Sequence, residues 1–272
     1  MRRLWDAVVA RFDDDNAEWG LSRRAAVILF LAPFALAFVA VAAIPFRGAF
    51  RALANEDGLA EWGQFVCLIV LVPLYARLSF ALWRQGQRPV ALLYALAALA
   101  IVFVAGEEIS WGQRIFGWLT PGALDDINNQ GETNIHNIGP LLKIFNVVIM
   151  GIAFIAALLP LVRWSLWRDR ARSIAGYALI PPAVLIPAFG MEFSYRAIRL
   201  LFLPTPRYTL TKLSEIAELS FYLGLVVFGL LAWRVIVSGW RPGASDEPSG
   251  GPPGDATAST PATPATPTTP VP

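Results

Sequence analysis

Long uncharged runs separated by short charged connections dominate the chain. Ala25 to Pro45 carries no charge over 21 residues, enough to cross a hydrocarbon core of about 30 Å at about 1.5 Å per helical residue. Five further apolar runs follow: Trp62 to Trp83, Pro89 to Gly106, a stretch between Lys143 and Arg163, another between Arg172 and Glu192, and a last one from Glu218 to Val237. The pattern predicts an all-α polytopic bundle of six transmembrane helices over residues 25–240. Arg77 falls inside the second run, near enough to its end for the guanidinium to reach the headgroups. Pro181, Pro182 and Pro187 each remove a backbone donor from the fifth run, so that helix is expected to be kinked or broken before Glu192.

The flanks read differently. In residues 1–24, Leu4, Trp5, Val8, Val9 and Phe12 share one helical face among arginines and aspartates, which predicts a helix lying in the membrane interface. A poorly ordered terminus is the alternative. The polar lead is long and the run after it is of full span length, which disfavours a cleaved signal peptide. From residue 241 onward the chain holds nine of the 21 prolines and no aromatic residue, so a disordered tail is expected over 241–272.

Composition agrees with the pattern: 56% of residues are hydrophobic and 15% charged, with mean hydropathy +0.53, values of a membrane protein. The lipid bilayer is therefore the expected partner. Basic residues are scattered between the runs and form no dense stripe, so nucleic acid is not expected to bind. A single cysteine, Cys67, excludes an intramolecular disulfide and a cysteine metal cluster. With the N-terminus inside, 14 of the 22 Lys and Arg residues fall in inner segments, the bias that orients proteins of the inner (plasma) membrane with both termini cytoplasmic. Trp83, Trp164, Trp167, Trp233 and Trp240 then mark the inner boundary, and Trp62, Trp111 and Trp118 the outer one.

Candidate chemistry concentrates in residues 104–137, VAGEEISWGQRIFGWLTPGALDDINNQGETNIHN. Here an apolar run ends in Glu107 and Glu108, and Glu132 precedes His136, the only histidine in the chain, by four residues. In the predicted topology the third and fifth spans end in Glu108 and Glu192, while the second and sixth begin with Glu61 and Glu218. All four carboxyls are thus expected at one membrane boundary, together with Glu56, Glu107, Glu132, His136 and Glu215. Carboxylates at that depth cost at least a few kcal/mol each unless paired, protonated or wet, so a shared polar pocket is expected. The competing expectation is that each glutamate is solvated among the headgroups. No comparable acid set is expected at the other boundary, where Asp169 stands alone among arginines. AGEEISW (105–111) resembles FGMEFSY (189–195), and LAEWGQF (59–65) resembles IAELSFY (216–222), a mirrored internal repeat that aligns Glu108 with Glu192 and Glu61 with Glu218.

Two chemistries suit these residues. If residues 132–136 are helical, Glu132 and His136 share a face, and with Glu61 and Glu108 they offer an oxygen-rich, one-nitrogen site for a divalent metal ion. The alternative for His136 is hydrogen bonding within a loop rich in Asn128, Asn129, Asn134 and Asn137. Without a metal, the adjacent Glu107 and Glu108 repel, which suits a general acid and base pair. His136 would share that work, and Arg114 or Arg196 would bind an anionic group. Arg196 is also placed to pair with Glu192 at i and i+4. The chain has no Gly-x-Ser-x-Gly, HExxH or Walker A motif.

GEEISWGQR and QGETNIHN resemble the signature of an uncharacterised family of bacterial multi-pass membrane proteins over about residues 50–225, a likeness that implies no activity. Glu107, Glu108 and Arg114 also resemble, in part, the first motif of the CAAX-type (Abi) glutamate proteases. The arginine is displaced from that family's spacing, and His136 alone cannot supply its later histidine motifs. The resemblance implies, by analogy, water activated by paired glutamates. The expected function is a hydrolase or transferase acting on a lipid or lipid-linked substrate, with Glu107, Glu108, Glu132 and His136 catalytic and Glu61, Glu192, Glu218, Arg114 and Arg196 completing the pocket. The alternatives are a proton- or cation-coupled transporter and a non-catalytic scaffold.

Overall fold

A computed structural model describes residues 2–55, 57–128, 131–166, 173–202 and 208–237. Glu56, Asn129, the basic stretch 167–172 with Asp169, Arg207, Trp240, Arg241 and the tail 241–272 lie outside the described residues. Apart from an isolated bridge between Asn128 and Ile138, the described residues form helices and their connections.

The helices are α1 (Arg2–Glu18), α2 (Arg23–Ala43), α3 (Arg47–Ala54), α4 (Leu59–Arg84), α5 (Arg88–Glu108), α6 (Gln113–Phe116), α7 (Gly122–Asp125), α8 (Gly139–Leu166), α9 (Ile174–Leu179), α10 (Ile186–Leu201), α11 (Tyr208–Lys212) and α12 (Ser214–Val237). Local chemistry sets several of their ends. The Ser22 hydroxyl accepts the Ala25 N–H at 3.2 Å and opens α2, and Ser173 does the same for Gly176 at 3.0 Å in α9. Pro89 sits in the first turn of α5, where a missing donor costs nothing. Six segments are long and apolar enough to cross a membrane: Arg23–Ala43, Arg47–Arg84, Arg88–Glu108, Gly139–Trp164, Ile174–Leu201 and Tyr208–Val237. The fifth is broken, as its prolines require: α9 stops at Leu179, and the helix resumes only after Ile180–Pro182 and a short 3-10 turn, Ala183–Leu185. Pro187 lies in the first turn of α10 and starts that helix without bending it.

Helix α4 is the centre of the bundle, with α5 on one side and α12 on the other. Its buried Leu68, Leu71, Tyr75, Leu78 and Leu82 recur at three- and four-residue intervals and form a continuous seam. Helices α4 and α5 are antiparallel, with Ser79 donating to the Ala91 carbonyl at 2.7 Å and Tyr75 against Tyr94. Helix α12 runs parallel to α4: Gln64 reaches the Glu215 carbonyl at one end and Gln85 the Ile236 carbonyl at the other. Gly229 permits this approach, because a Cβ there would lie 2.7 Å from Leu74 Cδ2. Helix α10 is antiparallel to α12 and to α8, with Arg196 beside Glu218 and Asn146, and Phe193 beside Phe154. The starts of α4, α8 and α12 therefore share one end of the bundle with the last turns of α5 and α10.

The N-terminal segment is more deeply engaged than an interfacial helix. Trp5 and Val8 are exposed, but Asp15, Asn16 and Trp19 are buried. Trp19 stands edge-on to Tyr177 at 5.1 Å and to Phe228 at 6.3 Å. Asp15 accepts the Ala183 N–H at 2.7 Å, supplying a partner for the backbone freed by the break in the fifth span. The buried Arg163 pairs with Glu18, lies 3.9 Å from Asp15, and faces the Trp19 and Tyr177 rings. A second acid–arginine cluster thus occupies the opposite end of the bundle, where none was expected, because its acids come from the segment assigned to the interface.

Two predictions follow from the packing. Gly229→Val should force α12 off α4 and cost about 1–3 kcal/mol, measured as a lowered melting temperature in nanodiscs, while Gly190→Ala, with open space around it, should change little. Burial raises the Asp15 carboxyl above its ordinary range, against the opposing pull of the Ala183 N–H and Arg163. The stability this site contributes is then full below about pH 4 and declines as pH rises through the raised value. Asp15→Asn keeps an acceptor for Ala183 and cannot ionise, so the wild-type melting temperature should fall relative to this variant as pH rises; a flat or opposite difference would refute the role of burial.

Candidate functional site

After Glu108 the chain leaves the bundle and folds back over its own helix end through a strained turn. Ser110, Trp111 and Gly112 adopt φ of 48°, 53° and 95°, a left-handed conformation that costs a non-glycine residue on the order of 1–2 kcal/mol. Side chains hold it in place. Trp111 Nε1 donates to Glu107 Oε1 at 2.6 Å, and its ring crosses Gly106, where a Cβ would lie 3.0 Å away. The Ser110 hydroxyl donates to Glu132 at 2.9 Å.

Glu107 is a tether. It is 3% exposed, and its second oxygen accepts the backbone N–H groups of Ile135 and His136, both at 2.8 Å, with His136 Nδ1 at 3.3 Å. A backbone loop so close to the bundle needs its donors satisfied, and this one carboxylate satisfies two of them. Residues 131–137 are not helical, so Glu132 and His136 do not share a face. His136 turns to Glu107, while Glu132 turns to Asn134 (2.7 Å), Ser110 and Arg114.

Arg114 joins this loop to the bundle. It pairs with Glu61 of α4, with Glu132 at 3.0 Å, and lies 3.5 Å from Asp57. Burial alone would lower its pKa, but Glu61 and Glu132 outweigh that effect and raise it, so it is a fixed cation. Arg196 of α10 occupies an equivalent place on the other side, pairing with Glu192, with Asn146 of α8, and with Glu218 of α12 at 2.9 Å. Glu192 was expected at the end of its span; it lies in mid-helix, fully buried, with its other oxygen lacking a hydrogen-bond partner. Gln64, also fully buried, donates to the Glu215 carboxylate at 3.0 Å.

Glu108 stands between the two arginine clusters. Its electrostatic neighbours are Glu218, Glu215, Glu61 and Arg114, and the buried Tyr222 is near it, Glu218 and Glu192. Among the described residues it is the one glutamate of this set whose side chain makes neither a hydrogen bond nor an ion pair. It borders a cleft of about 10 Å³ with Asp57, Glu61, Trp62, Phe65, Ile109 and Arg114, room for about one water molecule.

The structure therefore connects Glu61, Glu108, Glu132, Glu192, Glu218, Arg114 and Arg196 at one end of the bundle and sets Glu107 and His136 apart as loop anchors. Adjacent Glu107 and Glu108 do not form a pair: one helical step turns them about 100° apart, one to the loop and the other into the bundle. Among the described residues no three His, Cys, Asp or Glu side chains converge as metal ligands. The proposed divalent set of Glu61, Glu108, Glu132 and His136 does not fit, because His136 and Glu108 face different neighbours and Arg114 occupies Glu61 and Glu132. Gln64, Asn146, Ser110 and Tyr222 were not singled out from sequence. Gln64 and Asn146 carried a legible signal, since each is an uncharged polar side chain inside an apolar run.

The chain is a polytopic helical membrane protein with a carboxyl–guanidinium network at one end of its bundle. No protein-family model, curated protein or solved structure matches it.

Glu107→Gln replaces an acceptor oxygen with a donor facing other donors. It should cost about 1.5–3 kcal/mol and be read as faster hydrogen exchange at Ile135 and His136, with the helices unaffected; unchanged exchange would rule out the tether.

Proposed function

We propose that the protein is a membrane-embedded hydrolase or transferase acting on a lipid or lipid-linked substrate, with Glu108 as the acid–base group. The supporting observation is a carboxyl without a hydrogen bond, set among three other glutamates on a cleft of water size, beside a fixed guanidinium. Crowded carboxyls share protons, the property that general acid–base catalysis needs. Glu108 would take a proton from water or a substrate hydroxyl and return it to the leaving group, while Arg114 would stabilise the negative charge that develops. Glu107, Glu132 and His136 would hold the loop that closes the cleft. A lipid substrate is favoured by the apolar rim: Trp62, Trp111, Phe116, Trp118 and Leu119 are all exposed around this end. The distribution of basic residues supports an inner-membrane location with both termini cytoplasmic, which puts the cleft at the outer face.

A proton-coupled carrier is the second reading, favoured by the broken fifth span at Ile180–Pro182.

The test uses the full chain in nanodiscs incubated with a total lipid extract from its expression host and read by mass spectrometry. A lipid species should be converted by the wild type and converted at least about 100-fold more slowly by Glu108→Gln. Equal conversion by the two, or none by either, would sink the enzyme reading. Uptake into proteoliposomes driven by a pH gradient and lost in Glu108→Gln would replace it with the carrier.

A further inference from the structure

Away from the acid end, α5 and α8 stand apart and leave a cavity of about 800 Å³. The floor is formed by buried Tyr75, Tyr94, Phe189 and Phe228, and the far end by α9 and the break at Ile180 and Pro181. Toward the acid end, Phe103 of α5 and Phe145 of α8 stack at 6.4 Å and bridge the two helices. Behind the far end, Trp19 backs Tyr177 and Phe228. The remaining approach is sideways, between rims whose Leu93, Ile152 and Ile155 are about half exposed.

Position, size and chemistry select the occupant. Protein interiors do not maintain voids of this size, and ligand pockets of about 300–1,000 Å³ are mostly apolar. Every lining helix belongs to a membrane-crossing segment, so what lies against the rims is hydrocarbon. Polar partners for water are few: the Tyr94 hydroxyl is given to the Ala178 carbonyl at 2.7 Å, the Ser173 hydroxyl accepts the Gly176 N–H at 3.0 Å, and apart from these and Tyr75 the lining side chains are hydrocarbon or aromatic. Small residues, Ala97, Ala156, Ala175 and Gly176, leave a smooth trough along the wall.

We propose that this cavity binds a hydrocarbon chain of a membrane lipid, which enters sideways between α5 and α8. The site is independent of Glu108. Along α12, Leu225 is seven residues from Glu218, about 10 Å of helix rise, and on α10 Phe189 precedes Glu192 by three residues, so the cavity ends beneath the carboxyl network and Glu108 is not part of its lining.

The experiment delipidates the full chain in detergent, reconstitutes it with a phosphatidylcholine carrying a mid-chain diazirine, irradiates, and maps adducts by mass spectrometry. Adducts are expected on Tyr75, Phe189 or Phe228, which lipid around the bundle cannot reach from outside. Ala97→Phe combined with Ala156→Phe fills the trough and should lower those adducts at least tenfold, while adducts on exposed Leu92, Leu96 and Leu99 persist as evidence that the variant is folded in the bilayer. Glu108→Gln should leave the pattern unchanged, which separates this site from the proposed chemistry. Adducts confined to the exposed leucines, or floor adducts undiminished in the filled variant, would overturn the proposal.

Discussion

A carboxylate inside a membrane bundle must be paired, protonated or hydrated, and that constraint organises both ends of this protein. At one end two guanidiniums are each shared among acids from different elements of the chain. Arg114 ties the loop after α5 to α4 through Glu61 and Glu132, and Arg196 ties α10 to α12 and α8 through Glu218 and Asn146. Because each arginine bridges separate elements, the charges specify which helices meet and in what register. Their value is better described as positional than as net stability, since buried pairs often return little more than their desolvation cost.

The two clusters resemble each other in detail. Arg114 follows Glu108 by six residues and meets Glu61; Arg196 follows Glu192 by four and meets Glu218. This correspondence matches the sequence alignment of Glu108 with Glu192 and of Glu61 with Glu218, but the two clusters are used differently. Glu192 is clamped by its arginine, whereas a strained turn at Ser110–Gly112 carries Arg114 past Glu108 to Glu61 and Glu132. The difference leaves one carboxyl open to a cleft. Strain of this kind persists only where surrounding contacts enforce it, and here Glu107, Trp111 and Glu132 supply them.

The opposite end answers a different deficit. Prolines break the fifth span and leave backbone groups that an unbroken helix would have paired. Asp15 supplies one acceptor, and Arg163 with Glu18 balances the charge so introduced. The N-terminal helix is thereby part of the fold, held by polar contacts at its end and by Trp19 between two aromatic rings.

Six spans, the broken fifth helix and the gathering of acids toward one end were legible in sequence, because each depends on local composition: apolar length, proline position and the charges that bound each run. Partner choice was not. Nothing in the string GEE says that its first glutamate caps a distant loop and its second faces α4 and α12; the 100° step of the helix and the turn at Ser110–Gly112 decide that. Nor does the order of residues reveal that His136 serves Glu107 in place of Glu132, that Asp15 reaches across the chain to Ala183, or that α5 and α8 part to leave a cavity. Residue chemistry and run length determine what a segment can do and how far it reaches; which atoms it meets depends on packing among elements distant in sequence, and only the folded bundle settles it.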